Sequence, residues 1–314
     1  MRIRSLSVLS ALALSGLLLA GCSGSATPTA SGSASAGDLC SAAAAPGQAS
    51  NSVTVDGTEG SVSTATFTPG LEVSGVQRTV VSEGTGDALK EGDWVKLGFS
   101  AFDATTGEKL GDAGYNDTDY LPQQLTAGSG FSQLIGCAPV GSRLVVTLPA
   151  SESGGAQVYV LDVLGTTPTA AWGAQQDPVA GMPTVTLGAD GTPTVAIPDA
   201  AAPTDIQISV LKKGDGPEVA SGDTTLLQYY GVNWADGQSF DSSWSRGGTP
   251  ISSQGNAYVP GFVQALDGQT VGSQVLVVIP PALGYGDQAQ GSIPANSTLV
   301  FVIDILATQH AKTQ

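Results

Sequence analysis

The sequence predicts two domains of the all-β or α+β class, and three features support this prediction. At 314 residues the chain is about twice the usual length of one domain. Its 42 glycines and 18 prolines indicate many turns and few long helices. Alternating β-branched segments such as 225–232 and 299–305 are typical of strands. In the C-terminal half only one short helix is indicated, near 260–267, between Pro260 and the stop signal Gly268.

Two stretches of the chain resemble each other at a nearly constant spacing. The matching segments all contain glycine and are, in pairs, 83–86 with 213–216, 91–93 with 221–223, 130–131 with 261–262 and 140–141 with 271–272. The shift is 130 residues in the first two pairs and 131 in the last two, which indicates a duplicated domain with one net insertion. We therefore predict domains over 51–165 and 204–314. The linker over 166–203 contains 184–187 and 192–197, two candidates for short edge strands.

Residues 1–21 have the pattern of a secretory signal peptide. Basic Arg2 and Arg4 precede an apolar run that is too short to cross a bilayer comfortably. The segment 19–22 (LAGC) resembles the lipobox of bacterial lipoproteins, in which the cysteine is lipidated and becomes the N-terminus. We therefore expect an extracytoplasmic protein, anchored to the cell membrane through lipid on Cys22. The alternative is an ordinary signal peptide followed by a chance cysteine.

The segment that follows is predicted to be a flexible tether over 22–50. Nearly every residue in 23–37 is Ser, Gly, Ala, Thr or Pro, and such a composition buries too little apolar surface to order itself.

Two cysteines remain once Cys22 is assigned to lipid. Cys40 and Cys137 form an even pair in an oxidising compartment, so a disulfide is predicted. On a chain-entropy basis it would contribute roughly 4 kcal/mol. The alternative is two free buried thiols. No metal site is expected, because His310 is the only histidine and no CxxC spacing occurs.

The net charge and the residue inventory exclude several functions. A formal charge of -16 repels phosphate backbones and anionic headgroups, so no nucleic-acid partner is expected and membrane attachment must be covalent or apolar. The only histidine, His310, follows the last of the repeated segments, so a Ser/His or Cys/His nucleophile cannot be assembled within either repeat. No spacing singles out a carboxylate pair for glycosidase chemistry.

Five segments of the C-terminal half carry the chemistry. They are 228–231 (QYYG), 236–243 (DGQSFDSS), 259–262 (VPGF), 282–286 (ALGYG) and 293–301 (IPANSTLVF). Their order and spacing resemble the FKBP-type peptidyl-prolyl cis/trans isomerases over 214–308, and the first repeat resembles them only in outline. The resemblance implies an α+β protein with two tandem FKBP-like domains, each a bent antiparallel sheet wrapped around a short helix. It also implies an apolar pocket between sheet and helix, and no cofactor.

The resemblance implies a set of site residues and partners. The catalytic pocket positions are Tyr229, Phe240, Asp241, Phe262, Tyr285 and Phe301, and the substrate-binding positions are Arg246, Tyr258, Val259 and Ile293. Phe262 matches the pocket floor, where many relatives carry tryptophan. The Tyr285 hydroxyl or a backbone N–H near Ile293 is expected to hold the substrate carbonyl. Proline-containing exported polypeptides are the expected substrates, and macrolides such as rapamycin are candidate competitors.

The first repeat lacks most of this pattern. Its strand over 95–99 has no tyrosine pair, no FDSS follows Gly107, and 150–157 replaces the loop that bears Tyr285. Only Phe131 is retained, so we expect a degenerate, non-catalytic copy. The alternative for the whole chain is a non-catalytic FKBP-like binding or chaperone module, which an isomerisation assay on a short peptide would distinguish.

Overall fold

The computed structural model describes residues 36–152, 154–254 and 257–311. The predicted signal peptide, Cys22 and the tether as far as residue 35 lie outside the described residues. Within the described ranges, no helix is both long and apolar enough to cross a membrane.

The N-terminal half is built around a six-stranded antiparallel sheet. Its elements are α1 (Ala36–Ala42), α2 (Gln48–Asn51), β1 (Thr54–Asp56), β2 (Thr64–Thr66), β3 (Gln77–Ser82), β4 (Trp94–Asp103), β5 (Lys109–Ala113), β6 (Gln123–Gln124), α3 (Gly130–Ile135), β7 (Arg143–Leu148) and β8 (Gln157–Thr167). The N-terminal sheet (β3–β8) has the order β3-β7-β8-β4-β5, and β6 pairs with β4.

The C-terminal half repeats this strand order. Its elements are β9 (Ala174–Gln175), β10 (Thr184–Leu187), β11 (Pro193–Ala196), β12 (Gln207–Lys213), β13 (Thr224–Asn233), β14 (Ser239–Ser242), β15 (Ile251–Gln254), α4 (Pro260–Leu266), β16 (Gln274–Ile279) and β17 (Leu299–Gln309). The C-terminal sheet (β9 and β12–β17) has the order β14-β13-β17-β16-β12-β9, with β15 paired to β13. Strands β12, β16, β17, β13, β14 and β15 thus take the places of β3, β7, β8, β4, β5 and β6.

The short helix α4 packs against one face of the C-terminal sheet. Pro260 occupies its first turn, where a missing N–H costs nothing, and Gly268 follows with a positive φ of 75°. The buried side of the helix presents Phe262 and Leu266 to Leu227 and other apolar residues of β13, β16 and β17. Because side chains alternate along a strand, Leu227 and Tyr229 share this face and their neighbours lie on the other.

A two-stranded hairpin covers the opposite face of each sheet. β10 and β11 pair with each other, and Val185 and Val195 pack against Trp234 and other buried residues of the C-terminal sheet. β1 and β2 do the same for the N-terminal sheet, where Val55 packs near Phe102. The candidate strands over 184–187 and 192–197 are thus present as β10 and β11. They pair with each other rather than with the edge of a larger sheet, because the apolar sheet face needs a covering layer.

The segment from residue 36 to residue 50 is ordered rather than a tether. Leu39 on α1 is fully buried in the core with Ile135, and Cys40 forms the predicted disulfide with Cys137, with the two Cα atoms 4.8 Å apart. The tether prediction is wrong for this part because Leu39 and the disulfide attach α1 to α3.

The two halves contact each other through a small apolar cluster. It consists of Trp94 and Leu121 from the N-terminal half and Leu226, Leu306 and Ala307 from the C-terminal half. Two hydrogen bonds flank it: the His310 N–H donates to the Thr118 carbonyl at 2.8 Å, and the Gln309 amide donates to the Asp119 carbonyl at 3.1 Å. The C-terminal end of β17 is therefore bound to the N-terminal half by apolar contacts and hydrogen bonds.

Candidate active site

A cavity of about 620 Å³ lies between α4 and the C-terminal sheet. Nine of the ten site residues predicted from the sequence line it, and the tenth, Arg246, contacts the lining residues from outside. The nine are Tyr229, Phe240, Asp241, Tyr258, Val259, Phe262, Tyr285, Ile293 and Phe301. Strands β13, β14 and β17, helix α4 and the loop before β17 each contribute to this cavity, so residues far apart in sequence meet here.

Phe262 lies at the centre of the aromatic part of the cavity. Its ring is 3% exposed, and Phe301 meets it edge-on with the ring centroids 5.1 Å apart. Tyr229 also approaches edge-on at 6.3 Å, and Phe240 extends the cluster through an edge contact of 5.4 Å with Phe301. Edge-to-face pairs are favourable arrangements of aromatic rings. This aromatic part of the cavity wall is therefore apolar, and its rings are held by contacts with one another.

One wall of the cavity is polar. The Tyr229 hydroxyl donates to the Asp241 carboxylate, and Arg246 forms an ion pair with the same carboxylate. Arg246 also donates to the Tyr229 hydroxyl at 2.7 Å, and its guanidinium carbon lies 5.4 Å from the centroid of the tyrosine ring. Burial, followed by the hydrogen bond to Asp241, raises the pKa of Tyr229 to about 12. At neutral pH the hydroxyl is therefore protonated and orients the carboxylate.

The mouth of the cavity carries another of its three tyrosines. Tyr285 is 38% exposed, and among the described residues its hydroxyl has no hydrogen-bond partner. The backbone N–H of Ile293, by contrast, donates to the Gln290 carbonyl at 2.9 Å. The Ile293 N–H is thus already engaged within the loop, whereas the Tyr285 hydroxyl lies exposed beside the cavity.

Sequence reasoning missed several lining positions. Ala257 and residues 290–292 also line the cavity. Ala257 and Gly291 have no functional group, and Gln290 and Ser292 lie in a polar loop where no spacing singles them out. No signal in the sequence marks these four positions.

The N-terminal sheet keeps more aromatic character than predicted. In the N-terminal sheet Ala101 pairs with Tyr159, and in the C-terminal sheet the equivalent Gly231 pairs with Phe301. Tyr159 is therefore the counterpart of Phe301. By the same register Phe99 is the counterpart of Tyr229. The statement that Phe131 alone is retained is therefore wrong, because strand register and not the local motif aligns these residues.

The polar wall has no counterpart in the N-terminal sheet. In the C-terminal sheet Asp241 pairs with Gly231, whereas in the N-terminal sheet Gly111 pairs with the equivalent Ala101. The counterpart of Asp241 is therefore a glycine and not a carboxylate. Tyr120 also packs edge-on against Phe99, with the centroids 5.2 Å apart. The two halves therefore share a strand order but differ in side-chain chemistry.

This arrangement suits rotation about an amide bond rather than bond cleavage. Rotation of an Xaa-Pro bond meets a barrier of ~18–20 kcal/mol in water, where solvation of the polar planar amide adds to the loss of resonance. A dry aromatic cavity removes that solvation and so favours the less polar twisted form by comparison. No nucleophile is needed, and the described residues that line the cavity include neither a cysteine nor a histidine.

Comparison with known proteins agrees with this chemistry. Residues 216–306 match the family model described as FKBP-type peptidyl-prolyl cis-trans isomerase. The chain is 38% identical over 119 residues to an FK506-binding protein of Streptomyces anulatus. The aligned residues cover 37% of this chain and 95% of that protein. It is 35% identical over 118 residues to a probable FK506-binding protein of Corynebacterium glutamicum, and this alignment covers 37% of this chain and 97% of that protein.

A longer relative matches only in part. The FKBP-type peptidyl-prolyl cis-trans isomerase FkpA of Escherichia coli (strain K12) is 35% identical over 108 residues, which cover 34% of this chain and 39% of FkpA. The two FK506-binding proteins, by contrast, align over nearly their whole length, and the family model matches the half that contains the aromatic cavity. This chain therefore belongs to the FKBP family and is a peptidyl-prolyl cis-trans isomerase.

Proposed function

We propose that the cavity of the C-terminal sheet carries the isomerase activity and acts on proline-containing exported polypeptides at the outer face of the cytoplasmic membrane. The observation that carries the first part is the combination of the Phe262 ring cluster with the Tyr229–Asp241–Arg246 wall in one cavity. The N-terminal sheet has aromatic residues at related places but lacks the carboxylate.

In the proposed mechanism the substrate proline ring packs against the aromatic cluster around Phe262. The Tyr285 hydroxyl, at the cavity mouth, donates to the substrate carbonyl. Asp241 is held by Tyr229 and Arg246 and gives the wall a fixed negative charge beside the rotating amide. These contacts stabilise the twisted amide more than the planar one, which is the requirement for catalysis.

The experiment that tests this assignment compares matched aromatic changes in the two halves. Phe262→Leu should lower kcat/KM on an Xaa-Pro peptide by roughly tenfold or more, because it removes the central ring of the proposed binding surface. Phe131→Leu, on the corresponding helix α3, should leave kcat/KM unchanged. Equal losses in both variants, or no loss in a folded Phe262→Leu protein, would contradict the assignment.

Tyr285→Phe is the second variant for the mechanism. It removes only an exposed hydroxyl, so the fold should be intact while kcat falls moderately. Rapamycin-like macrolides should compete with the peptide for the same cavity.

We propose that the N-terminal half is a degenerate tandem copy that serves as a spacer or docking surface. The shared strand order and the constant shift between glycine segments support this. An N-terminal fragment that ends near residue 165 should show no isomerase activity.

The membrane location is proposed from the sequence pattern at 19–22, which lies outside the described residues. Cys22→Ser should release the protein from the membrane fraction, since the lipid is the expected anchor. Retention of that variant in the membrane fraction would contradict the anchor and would leave the enzymatic assignment untouched.

A further inference from the structure

A buried amide lies directly behind the polar wall of the cavity. Gln228 precedes Tyr229 on β13 and is 1% exposed. Because side chains alternate along a strand, it lies on the face of the sheet opposite to Tyr229. It is not among the residues that line the cavity, so it has no direct contact with a substrate bound there.

The Gln228 side chain connects three separate segments of the chain. Its Nε2 group donates to the Gly248 carbonyl at 2.9 Å and to the Thr169 carbonyl at 3.0 Å. Its Oε1 atom accepts a hydrogen bond from the Ser243 hydroxyl at 2.7 Å. Both amide hydrogens are therefore used, and the side chain has one position in which all three bonds form.

Ser243 extends this arrangement to the backbone of Tyr229. The Tyr229 N–H donates to the Ser243 hydroxyl oxygen at 2.9 Å, and the Ser243 N–H donates to the Tyr229 carbonyl at 3.0 Å. Ser243 and Gly248 bracket the segment 243–248, which carries Arg246. Both ends of this Arg246 loop (243–248) are thus bonded to Gln228.

The Arg246 loop is a single 3-10 turn (Trp244–Arg246) that ends in two glycines. Gly247 and Gly248 both have positive φ, at 89° and 69°, and glycines lose more conformational freedom on ordering than other residues. The Arg246 side chain is about half exposed, and its bonds to Asp241 and Tyr229 depend on where the loop places it. The hydrogen bonds within the turn fix its local shape, and the bonds from the buried Gln228 side chain fix its position relative to β13.

We propose that Gln228, acting with Ser243, is a positioning residue for the isomerase reaction: it holds the Arg246 loop so that Arg246 keeps Asp241 and the Tyr229 hydroxyl aligned at the cavity wall. This inference rests on the proposed assignment of catalysis to the C-terminal cavity. The bond to Thr169 brings the segment between the two sheets into the same arrangement, so the ordering of that segment contributes to the geometry of the active site.

The first test compares two buried glutamines in the full-length protein. Gln274 is 2% exposed on β16 of the same sheet and donates to Asp304 at 2.7 Å, without contact to the Arg246 loop. Gln228→Leu and Gln274→Leu should both lower the free energy of unfolding. Only Gln228→Leu should lower kcat/KM on an Xaa-Pro peptide, by roughly tenfold. Equal activity in the two folded variants would overturn the proposal.

The second test asks whether Gln228 acts through Arg246. Arg246→Ala should lower kcat/KM, and adding Gln228→Leu to it should produce little further loss, because the residue that Gln228 positions is already gone. If the losses in kcat/KM of the two single variants multiply in the double variant, Gln228 does not act through Arg246. That result would overturn the proposal and would show that Gln228→Leu acts only by destabilising the protein. If Gln228→Leu does not fold, Ser243→Ala takes its place, with Ser273→Ala as control. Ser273 is equally buried, and its hydroxyl accepts from the Gly214 N–H at 2.9 Å, away from the cavity.

Failure of this inference and failure of the proposed function give different results. If Phe262→Leu leaves activity unchanged, the C-terminal cavity is not the active site, and both the proposed function and the positioning role of Gln228 are wrong. If Phe262→Leu removes activity while Gln228→Leu behaves like Gln274→Leu, the cavity assignment stands and only the positioning role is wrong.

Discussion

The Tyr258 ring is stacked on the Phe262 ring, with the ring centroids 4.5 Å apart and the ring planes 26° apart. The Tyr258 hydroxyl is buried, and burial raises the pKa of this tyrosine. Phe301 and Tyr229 meet Phe262 edge-on. The central ring of the cavity is therefore held by its own neighbours before any substrate binds.

This stack predicts a difference between two changes at one position. Tyr258→Ala removes the ring that covers Phe262, so we expect a clear rise in KM, and a stability loss of about 3–5 kcal/mol if the cavity left behind does not collapse. Tyr258→Phe keeps the ring and removes only the hydroxyl, so its KM should stay close to that of the parent protein. Peptide isomerisation kinetics, with urea unfolding of each variant, would measure both effects. A KM for Tyr258→Ala equal to that of Tyr258→Phe would contradict the role of the stack.

The Tyr229 hydroxyl predicts a pH dependence of stability at alkaline pH. Its pKa is raised to about 12 in the folded protein, against about 10 in an unfolded chain. The folded state therefore holds this proton more tightly. The corresponding stability is complete below about pH 10 and is lost as the pH rises towards about 12.

The urea midpoint of the parent protein should accordingly fall between about pH 9 and pH 11.5 more steeply than that of Tyr229→Phe, which has no hydroxyl to titrate. Burial and the nearby Asp162 also raise the pKa of Tyr115. The urea midpoint of Tyr229→Phe should therefore still fall with rising pH, but less steeply. Identical slopes in the two proteins would show that the Tyr229–Asp241 bond does not contribute.

The segment between the two sheets predicts where an active fragment must begin. The Ala171 N–H donates to the buried Asp304 carboxylate at 2.8 Å, and the β10–β11 hairpin covers Trp234 and its apolar neighbours. A fragment that starts at residue 166 keeps both features, whereas one that starts at residue 204 loses them. The shorter fragment leaves a buried carboxylate with one bond fewer, at a cost of ~1–3 kcal/mol, and exposes an apolar sheet face.

We therefore expect the fragment from residue 166 to fold and retain isomerase activity, and the fragment from residue 204 to be less stable and to aggregate. Both lack the N-terminal half, so Leu226 and Leu306 lose their cover equally in the two proteins. Thermal unfolding and light scattering would compare them. Equal stability of the two fragments would show that 166–203 is an independent linker.

The Cys40–Cys137 disulfide predicts a stability effect confined to the N-terminal half. It joins residues 97 positions apart, and reduction should lower the free energy of unfolding by roughly 4 kcal/mol on a chain-entropy basis. Isomerase activity should persist, because neither cysteine lies near the C-terminal cavity. Unfolding with and without reductant measures the effect, and a Cys40→Ser, Cys137→Ser protein serves as the insensitive control. Loss of activity on reduction of the parent alone would contradict this separation.

The local pattern of the sequence determined much of the active site. Short segments with distinct residue types mark Phe262, Tyr229 and Asp241, and strand and turn signals order them along the chain. Nine of the ten site residues that the resemblance to the FKBP-type isomerases implied line one cavity. They could be predicted because each motif that carries the resemblance is short and local in the sequence.

Tertiary packing alone decided the remaining features. The pairing of β10 with β11, the burial of Leu39 and the placement of Phe99 and Tyr159 in the first sheet all depend on contacts between distant residues. The bond from Gln228 to Thr169 joins residues 59 positions apart. Hydrophobic periodicity reports which face a residue occupies, but it does not report which other segment covers that face. The partners of buried polar groups and the layer on each sheet are therefore set by the three-dimensional arrangement, where every buried face and polar atom must find a partner.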